Sequence, residues 1–430
     1  MSTTAPASAP PSPTEPEAPR RWVDRVAGAL RHRDFRLVWF AALGSTIGTW
    51  MQKFAQSWLV LDLTDSNFYL GLDDFLSQLP ILLFMMIGGV IADRYDRRKL
   101  LTWSQYGQAF TAFALAGLVF SGTVTIGLVL TLSFLSGCAQ AFGGPAYQSM
   151  LPSLVPRRDL PNAIALNSTQ FNLSRVLGPM GGTAILVMLG MAWCFFLNGL
   201  SFFFVVIALM LIRPPASTGQ PARRMELWSD LRGGLSYVRH QRLMLTLTML
   251  VVVSTFLAMP ILTLLPTFAR SVLSEAGGTP ETRLSLLMAC QGVGAIVGAL
   301  IVGTLGRFRH MGVSLLGIQF LMGAALAGFA LTRTPLLSYA LIFCCGILFM
   351  ALFSISFSIV QLAVPEELRG RVVSIYMVAL RGGGPLGALA AGAFADVYSA
   401  PTVVAANGII LSLVTLTFFL SGRGRSLREI

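Results

Sequence analysis

The segment R-V-L-G-P-M-G-G, from Arg175 to Gly182, has a second copy 206 residues further on, R-G-G-G-P-L-G-A from Arg381 to Ala388. Each copy places an arginine three residues before a Gly-Pro pair, inside a run that is otherwise apolar. Further matches fall near the same offset. G-V-I-A-D-R-Y-D-R-R-K (Gly89 to Lys99) is answered by G-A-L-I-V-G-T-L-G-R-F-R (Gly298 to Arg309), and V-P-R-R-D-L (from Val155) by V-P-E-E-L-R (from Val364), both shifted by 209 residues. Independent matches near one offset indicate an internal duplication.

The duplicated chain is oily. Of its 430 residues 54% are hydrophobic and 12% charged, and the mean hydropathy is +0.70. An average soluble domain is about 25% charged. Runs such as I-L-L-F-M-M-I-G-G-V-I (Ile81 to Ile91) recur, and about 20 apolar residues cross a bilayer. The expected fold is an all-α integral membrane protein with twelve spans: 37–61, 69–92, 100–120, 125–147, 160–189, 192–212, 243–268, 284–305, 312–331, 336–362, 372–396 and 402–421. Six spans per copy is an even number, so both copies face the same way, as two parallel halves related by an axis along the membrane normal.

The expected domains are a tail at 1–36, a first half at 37–212, a linker at 213–242, a second half at 243–421 and a tail at 422–430. The first 19 residues are rich in Pro, Ser, Thr and Ala, the composition of a disordered tail, with neither the basic nor the apolar region of a secretory signal. The five cysteines (Cys138, Cys194, Cys290, Cys344, Cys345) all fall inside apolar spans without a C-x-x-C pattern, which points to small hydrophobes rather than disulfides or zinc.

A net charge of +12 could suggest nucleic acid, but its distribution is topological. Of 31 Lys and Arg, 25 sit in the tails and alternate loops, three in the opposite loops (Arg270, Arg283, Arg333) and three within spans (Lys53, Arg175, Arg381). The positive-inside rule then puts both termini in the cytoplasm and the protein in the cytoplasmic (inner) membrane. In the linker, Leu227, Leu231, Leu235 and Val238 recur at helical spacing with arginines opposite, the pattern of an amphipathic helix on the inner membrane surface.

Gly89-x-x-x-Asp93-Arg94-x-x-Arg97-Arg98 resembles the loop 2–3 signature of the major facilitator superfamily. S-T-I-G-T-W-M-Q (Ser45 to Gln52), W-L-V-L-D-L-T-D-S (Trp58 to Ser66) and the Arg-x-x-Gly-Pro segment resemble its enterobactin-exporter and drug:proton antiporter branch, over about residues 32–421. Three positions depart from the pattern. Asp96 stands where the loop motif has glycine, Thr183 where the antiporter motif of span five has a second glycine, and span four (T-L-S-F-L-S-G, Thr131 to Gly137) lacks a basic residue. The resemblance implies a cytoplasmic gate of Gly89, Asp93, Arg94, Arg97 and Arg98, with the carboxylate facing the positive N-terminal end of span eleven.

A few polar groups lie inside the spans. Thr46, Thr49, Lys53 and Gln56 share one helical face, flanked by Ser45 and Gln52. Asp73 and Asp74 lie in the outer third of span two, with Ser77 and Gln78 one turn on. An ionisable group at membrane depth costs about 2.5–3.5 kcal/mol on insertion scales, so each needs a partner or water. Lys53 is expected to pair with Asp73 or Asp74. Alternatively the aspartates only mark the outer end of the span. An aspartate facing a cavity would be the proton-coupling group, with burial and the nearby ammonium acting on its proton in opposite senses.

Arg175 and Arg381 lie about ten residues from their loops, roughly 15 Å deep at helical rise. Either they oppose each other at a central cavity, or each stabilises the packing of its own half. Gly178-Pro179 and Gly384-Pro385 allow bending and close packing. Gln140, Asn167, Gln170, Asn172 and Gln291 are further cavity candidates, with Trp50, Phe54 and Met259 as an aromatic and soft apolar surface.

The function expected is secondary active transport by alternating access: proton-coupled efflux of a small organic molecule, drug-like or siderophore-like. An importer of metabolites is the alternative within the fold. An integral-membrane enzyme is the alternative outside it, but the spans hold no reactive groups, and His32, His240 and His310 all fall in tails or loops. No G-x-x-x-x-G-K-[ST] occurs, so a proton gradient is the expected energy source, with no cofactor and no metal. The expected partners are the substrate, protons and the lipid bilayer, with no nucleic acid, and the chain is expected to act as a monomer.

Overall fold

The computed structural model describes residues 28–94, 96–212, 227–274, 278–306 and 308–420, and for 85–94 and 227–231 the backbone alone. Regular structure among these residues is entirely helical. A one-turn helix, Gly28–Arg31, leads into α1 (Arg33–Thr64), α2 (Asn67–Arg94), α3 (Arg97–Phe120), α4 (Ile126–Met150), α5 (Leu160–Leu189) and α6 (Met191–Leu211). Next come α7 (Leu227–His240), α8 (Arg242–Ala258) and α9 (Pro260–Thr267), then α10 (Pro280–Leu305), α11 (Met311–Leu331), α12 (Pro335–Ala363), α13 (Glu366–Tyr398) and α14 (Ala400–Leu420).

Local chemistry sets several of these ends. Asp96 caps α3, its Oδ1 accepting from Arg98 N at 2.9 Å and Lys99 N at 3.4 Å. The residue that departs from the loop motif is therefore an ordinary N-cap. Gly190, at φ +96°, makes the tight turn from α5 into α6. The span expected at 243–268 is one run, Arg242–Val272, in which α8 and α9 meet at Met259, whose backbone stays helical, and which ends in a π-helical turn at Phe268–Val272. Arg283, expected in a loop, instead lies in the first turn of α10, buried, donating to Ala269 O at 2.8 Å and Gly278 O at 3.1 Å.

Among the described residues, eight helical segments are long and apolar enough to cross a membrane: those containing α4 and α6, the run Arg242–Val272, and α10 to α14. Helices α1 and α5 fall short of that hydropathy. They carry the polar residues Thr46, Thr49, Gln52, Lys53 and Gln56, and Asn167, Gln170, Asn172 and Arg175. A polar face lowers mean hydropathy without shortening the helix.

One neighbour pattern occurs twice. The packed pairs α1–α5, α1–α6, α2–α4, α3–α4 and α3–α6 are repeated as α8–α13, α8–α14, α10–α12, α11–α12 and α11–α14. The two sets join where α2 packs along α13 and α5 along α10. The buried cores show how far that junction extends. One apolar core draws on both sets, from Trp58, Leu70 and Leu115 to Leu264, Leu284 and Ala391. At the opposite ends of the helices there are two cores instead of one. The first holds Phe35, Leu101, Met150 and Leu209, and the second holds Leu247, Leu315, Ile355 and Tyr376. Among the described residues, the two sets share a core at one end and have separate cores at the other.

Helix α7 belongs to the second core. Val238 is buried there, and Gly234 packs against Arg371 and Ile375 of α13, whereas Leu235 is exposed. The side chains of Leu227 and Leu231 lie outside the described residues.

Candidate functional site

A cavity of about 270 Å³ opens beneath the shared core. Its polar wall comes from the first set: Thr49, Gln52, Lys53 and Gln56 of α1, Asp73, Asp74 and Gln78 of α2, Ser133 and Gln140 of α4, and Asn198 of α6. The second set contributes Leu262, Thr263, Pro266, Leu284 and Met288, an almost wholly apolar wall. Such a site can hold a molecule with one greasy and one hydrogen-bonding side.

The charges within it are organised. Lys53 Nζ donates to Asp74 Oδ1 at 2.8 Å, joining α1 to α2. The Lys53 side chain is 53% exposed and that of Asp74 16%, so this ion pair lies on the cavity surface. The neighbouring Asp73 has different company. Gln56 Nε2 donates to both its oxygens at 2.9 Å, and Ser133 Oγ donates to its Oδ1 at 2.5 Å. Gln52 accepts from Asn198 Nδ2 at 2.7 Å, which holds the amide face of α1 against α6. Two adjacent carboxylates therefore differ: one is answered by a cation, the other by neutral donors.

Six polar residues expected at the cavity, Arg175, Arg381, Gln170, Gln291, Asn167 and Asn172, are not part of its lining. Arg175 lies at the α5–α10 seam, where Nη2 donates to Gln291 Oε1 at 2.6 Å and the guanidinium sits 5.2 Å from the centre of the Trp50 ring. Gln291 is buried by that bond. Gln170 is buried too and donates to Thr46 Oγ1 at 2.8 Å, between α5 and α1. Arg381, expected to mirror Arg175, is exposed and has no side-chain bond among the described residues. The symmetry fails because Arg175 has an amide across the seam and an aromatic face beside it, and Arg381 has neither.

The apolar candidates also move. Phe54 is fully buried in the shared core, Trp50 faces the Arg175 guanidinium and meets Phe171 edge-on, and Met259 packs on Gly384. Asn167 accepts from Tyr147 at 3.0 Å, and Asn172 donates to Ser168 O at 2.9 Å. Of the two Gly-Pro pairs, Gly178 lies directly against the backbone of α1 at Ile47 to Met51, and Gly384 is in looser contact with Met259. Both helices continue through their prolines.

Of the gate residues, Arg97 donates to Ser149 O at 3.0 Å and Arg98 lies in the first turn of α3. The side chains of Asp93 and Arg94 lie outside the described residues. Sequence reasoning missed Ser133 and Asn198, which are ordinary polar residues in apolar runs. Only their contacts with Asp73 and Gln52 mark them.

A family model described as transmembrane secretion effector matches residues 26–423. The chain is similar to the multidrug efflux pump Tap of Mycolicibacterium fortuitum, 27% identical over 84% of this chain and 88% of the relative. It is 26% identical to the staphyloferrin A transporter of Staphylococcus aureus, over 89% of this chain and 94% of that one. It is 25% identical to the enterobactin exporter EntS of Citrobacter koseri, over 93% and 94%. Among solved structures, a bacterial homolog of the human lysosomal transporter Spinster, inward-facing, superposes with a TM-score of 0.73 at 15% identity, covering 92% of this chain and 98% of that one. The nucleoside transporter NupG does so at 0.71 and 14%, covering 90% and 100%.

Proposed function

Because this chain belongs to the transmembrane secretion effector family of the major facilitator superfamily, a family of membrane transporters and not of enzymes, we propose that it exports a small organic molecule, drug-like or siderophore-like, in exchange for protons. It does so as twelve spans in two parallel six-helix halves, 37–212 and 243–421, with the linker helix on the inner membrane surface and both tails in the cytoplasm. No cofactor takes part, and the proton gradient supplies the energy.

The observation that carries this reading is the position of the cavity. Among the described residues, it lies below a core shared by the two sets and above the end where their cores are separate, and its charged groups are Lys53, Asp73 and Asp74. Rocking the halves about that site exposes it first to one side of the membrane and then to the other. The end with separate cores is the cytoplasmic one, so this state receives cargo from inside. By sequence, the gate of Gly89, Asp93, Arg94, Arg97 and Arg98 belongs to that end and closes in the opposite state. The two Gly-Pro pairs are the pivots.

Asp73 carries the proton. Its partners Gln56 and Ser133 are neutral, and a hydroxyl can turn to donate or accept as the carboxyl changes state. Asp74 is held in its ion pair with Lys53. The test is a substrate panel in a strain lacking its own efflux pumps, followed by flux in inverted vesicles under an imposed pH gradient. Asp73→Asn is expected to lower gradient-driven flux by about a hundredfold, the low end of what a proton-transferring side chain contributes. Asp74→Asn and Lys53→Ala lower it less. Parental flux in all three variants would end the coupling proposal, and uptake into cells instead of export would reverse the direction.

A further inference from the structure

We propose that Asp396 is the latch of the joined end: a side chain of the second set that caps helix α2 of the first, so that opening this end requires the cap to be given up. Asp396 lies in the last turn of α13, where the carbonyl end of its own helix repels a carboxylate. Its compensation lies across the junction. Oδ1 accepts from Asn67 N at 2.6 Å, and Oδ2 accepts from Phe68 N at 3.1 Å and from Ser66 Oγ at 2.5 Å. The two amides belong to the first turn of α2 and have no partner within that helix.

Ser66 stands immediately before α2, where a serine ordinarily caps its own helix by accepting from the second or third amide. Here it donates to Asp396 instead, and the second amide, Phe68 N–H, goes to the carboxylate as well. Helix α2 thus has two caps available, one in trans from Asp396 and one in cis from Ser66. Separation of the halves would exchange the first for the second, and α2 would never be left uncapped.

The backbones are built for this approach. A Cβ at Gly392, one turn before Asp396, would collide with the carbonyl of Asn67, and one at Gly71 would collide with the carbonyl of Ala388. Glycine at both places lets α2 and α13 close until the carboxylate reaches the helix end. Around it, Thr267 Oγ1 donates to Asn67 Oδ1 at 2.5 Å, and Arg270 Nη1 lies 3.3 Å from Asp62 and 3.9 Å from Asp65. Each of these contacts also crosses from one set to the other.

The inference rests on the alternating-access reading, but its test needs neither cargo nor gradient. In protein with the five native cysteines replaced by serine, Thr263→Cys puts a thiol on the apolar wall of the cavity. Its labelling by a membrane-impermeant maleimide is timed in right-side-out and inverted vesicles. Asp396→Ala is expected to speed labelling from the joined side about fivefold to tenfold, the population shift expected when a charge-assisted cap is replaced by the weaker cap of a neutral serine. Asp396→Asn keeps one acceptor oxygen, so it should give a smaller rise, and it serves as the test if the alanine variant does not fold. Unchanged labelling from both sides by variants that melt as the parent does overturns the latch. A rise seen in inverted rather than right-side-out vesicles keeps the latch and reverses only the proposed membrane orientation.

Discussion

Arg175 and Arg381 occupy the same place in two copies of one motif and have opposite surroundings. Arg175 donates across the α5–α10 seam to a buried amide and lies against a tryptophan, whereas Arg381 is exposed and has no side-chain bond among the described residues. The glycines that follow differ in the same direction, Gly178 jammed on the α1 backbone and Gly384 loosely on Met259. The cavity repeats the contrast on a larger scale, with a polar wall from the first set and an apolar wall from the second. The two sets share one pattern of packed pairs, and at the cavity their side chains do different work: the first set holds charge, the second presents an oily surface.

That contrast can be tested position by position. Replacing Arg175 by alanine leaves Gln291 buried without its donor. It should cost about 1.5–3 kcal/mol, the range for a hydrogen bond to a charged group, read as a lower melting temperature in detergent. Arg381→Ala should melt with the parent protein. Equal losses in the two variants would mean that the copies are equivalent after all. Next in size is Gly178→Ala, whose Cβ would meet the Trp50 side chain and α1 backbone atoms. Overpacking of this kind costs about 1–3 kcal/mol. The matching Gly384→Ala meets Met259 at 3.5 Å, an ordinary contact, and should be neutral in the same melt. The smallest effect is expected on the apolar wall. Met288→Ala should weaken cargo binding by about tenfold, the low end of the range for apolar groups in a pocket, and leave the pH dependence of flux unchanged. A changed pH profile there would show that coupling is not confined to the first set.

How much of this was legible in the chain varies by residue. The pairing of Lys53 with an aspartate followed from the cost of a lone charge at membrane depth, and Asp74 is that partner. The helical face through Thr49, Lys53 and Gln56 could be read from spacing, and all three line the cavity. Asp96 looked like a departure from a motif and is a helix cap. Asp396 was not singled out by sequence; only its contact with the start of α2, some 330 residues away, marks it. For the two arginines the sequence left a cavity role and a packing role open, and the copies differ, Arg175 bonded across the seam and Arg381 exposed, because symmetry constrains the backbone path and not the neighbours that each copy meets.

Hydropathy, charge bias and internal repetition act on each segment separately, because the bilayer sorts every helix by its own composition. From the amino acids alone one can therefore derive a helical membrane protein, its duplicated plan and the helices that carry its polar groups. The pairing of those groups is a different matter. Whether Asp73 meets a lysine or an amide, and whether an arginine faces a seam or open space, depends on how helices rotate and cross. Contacts between residues hundreds of positions apart exist only once the bundle has closed.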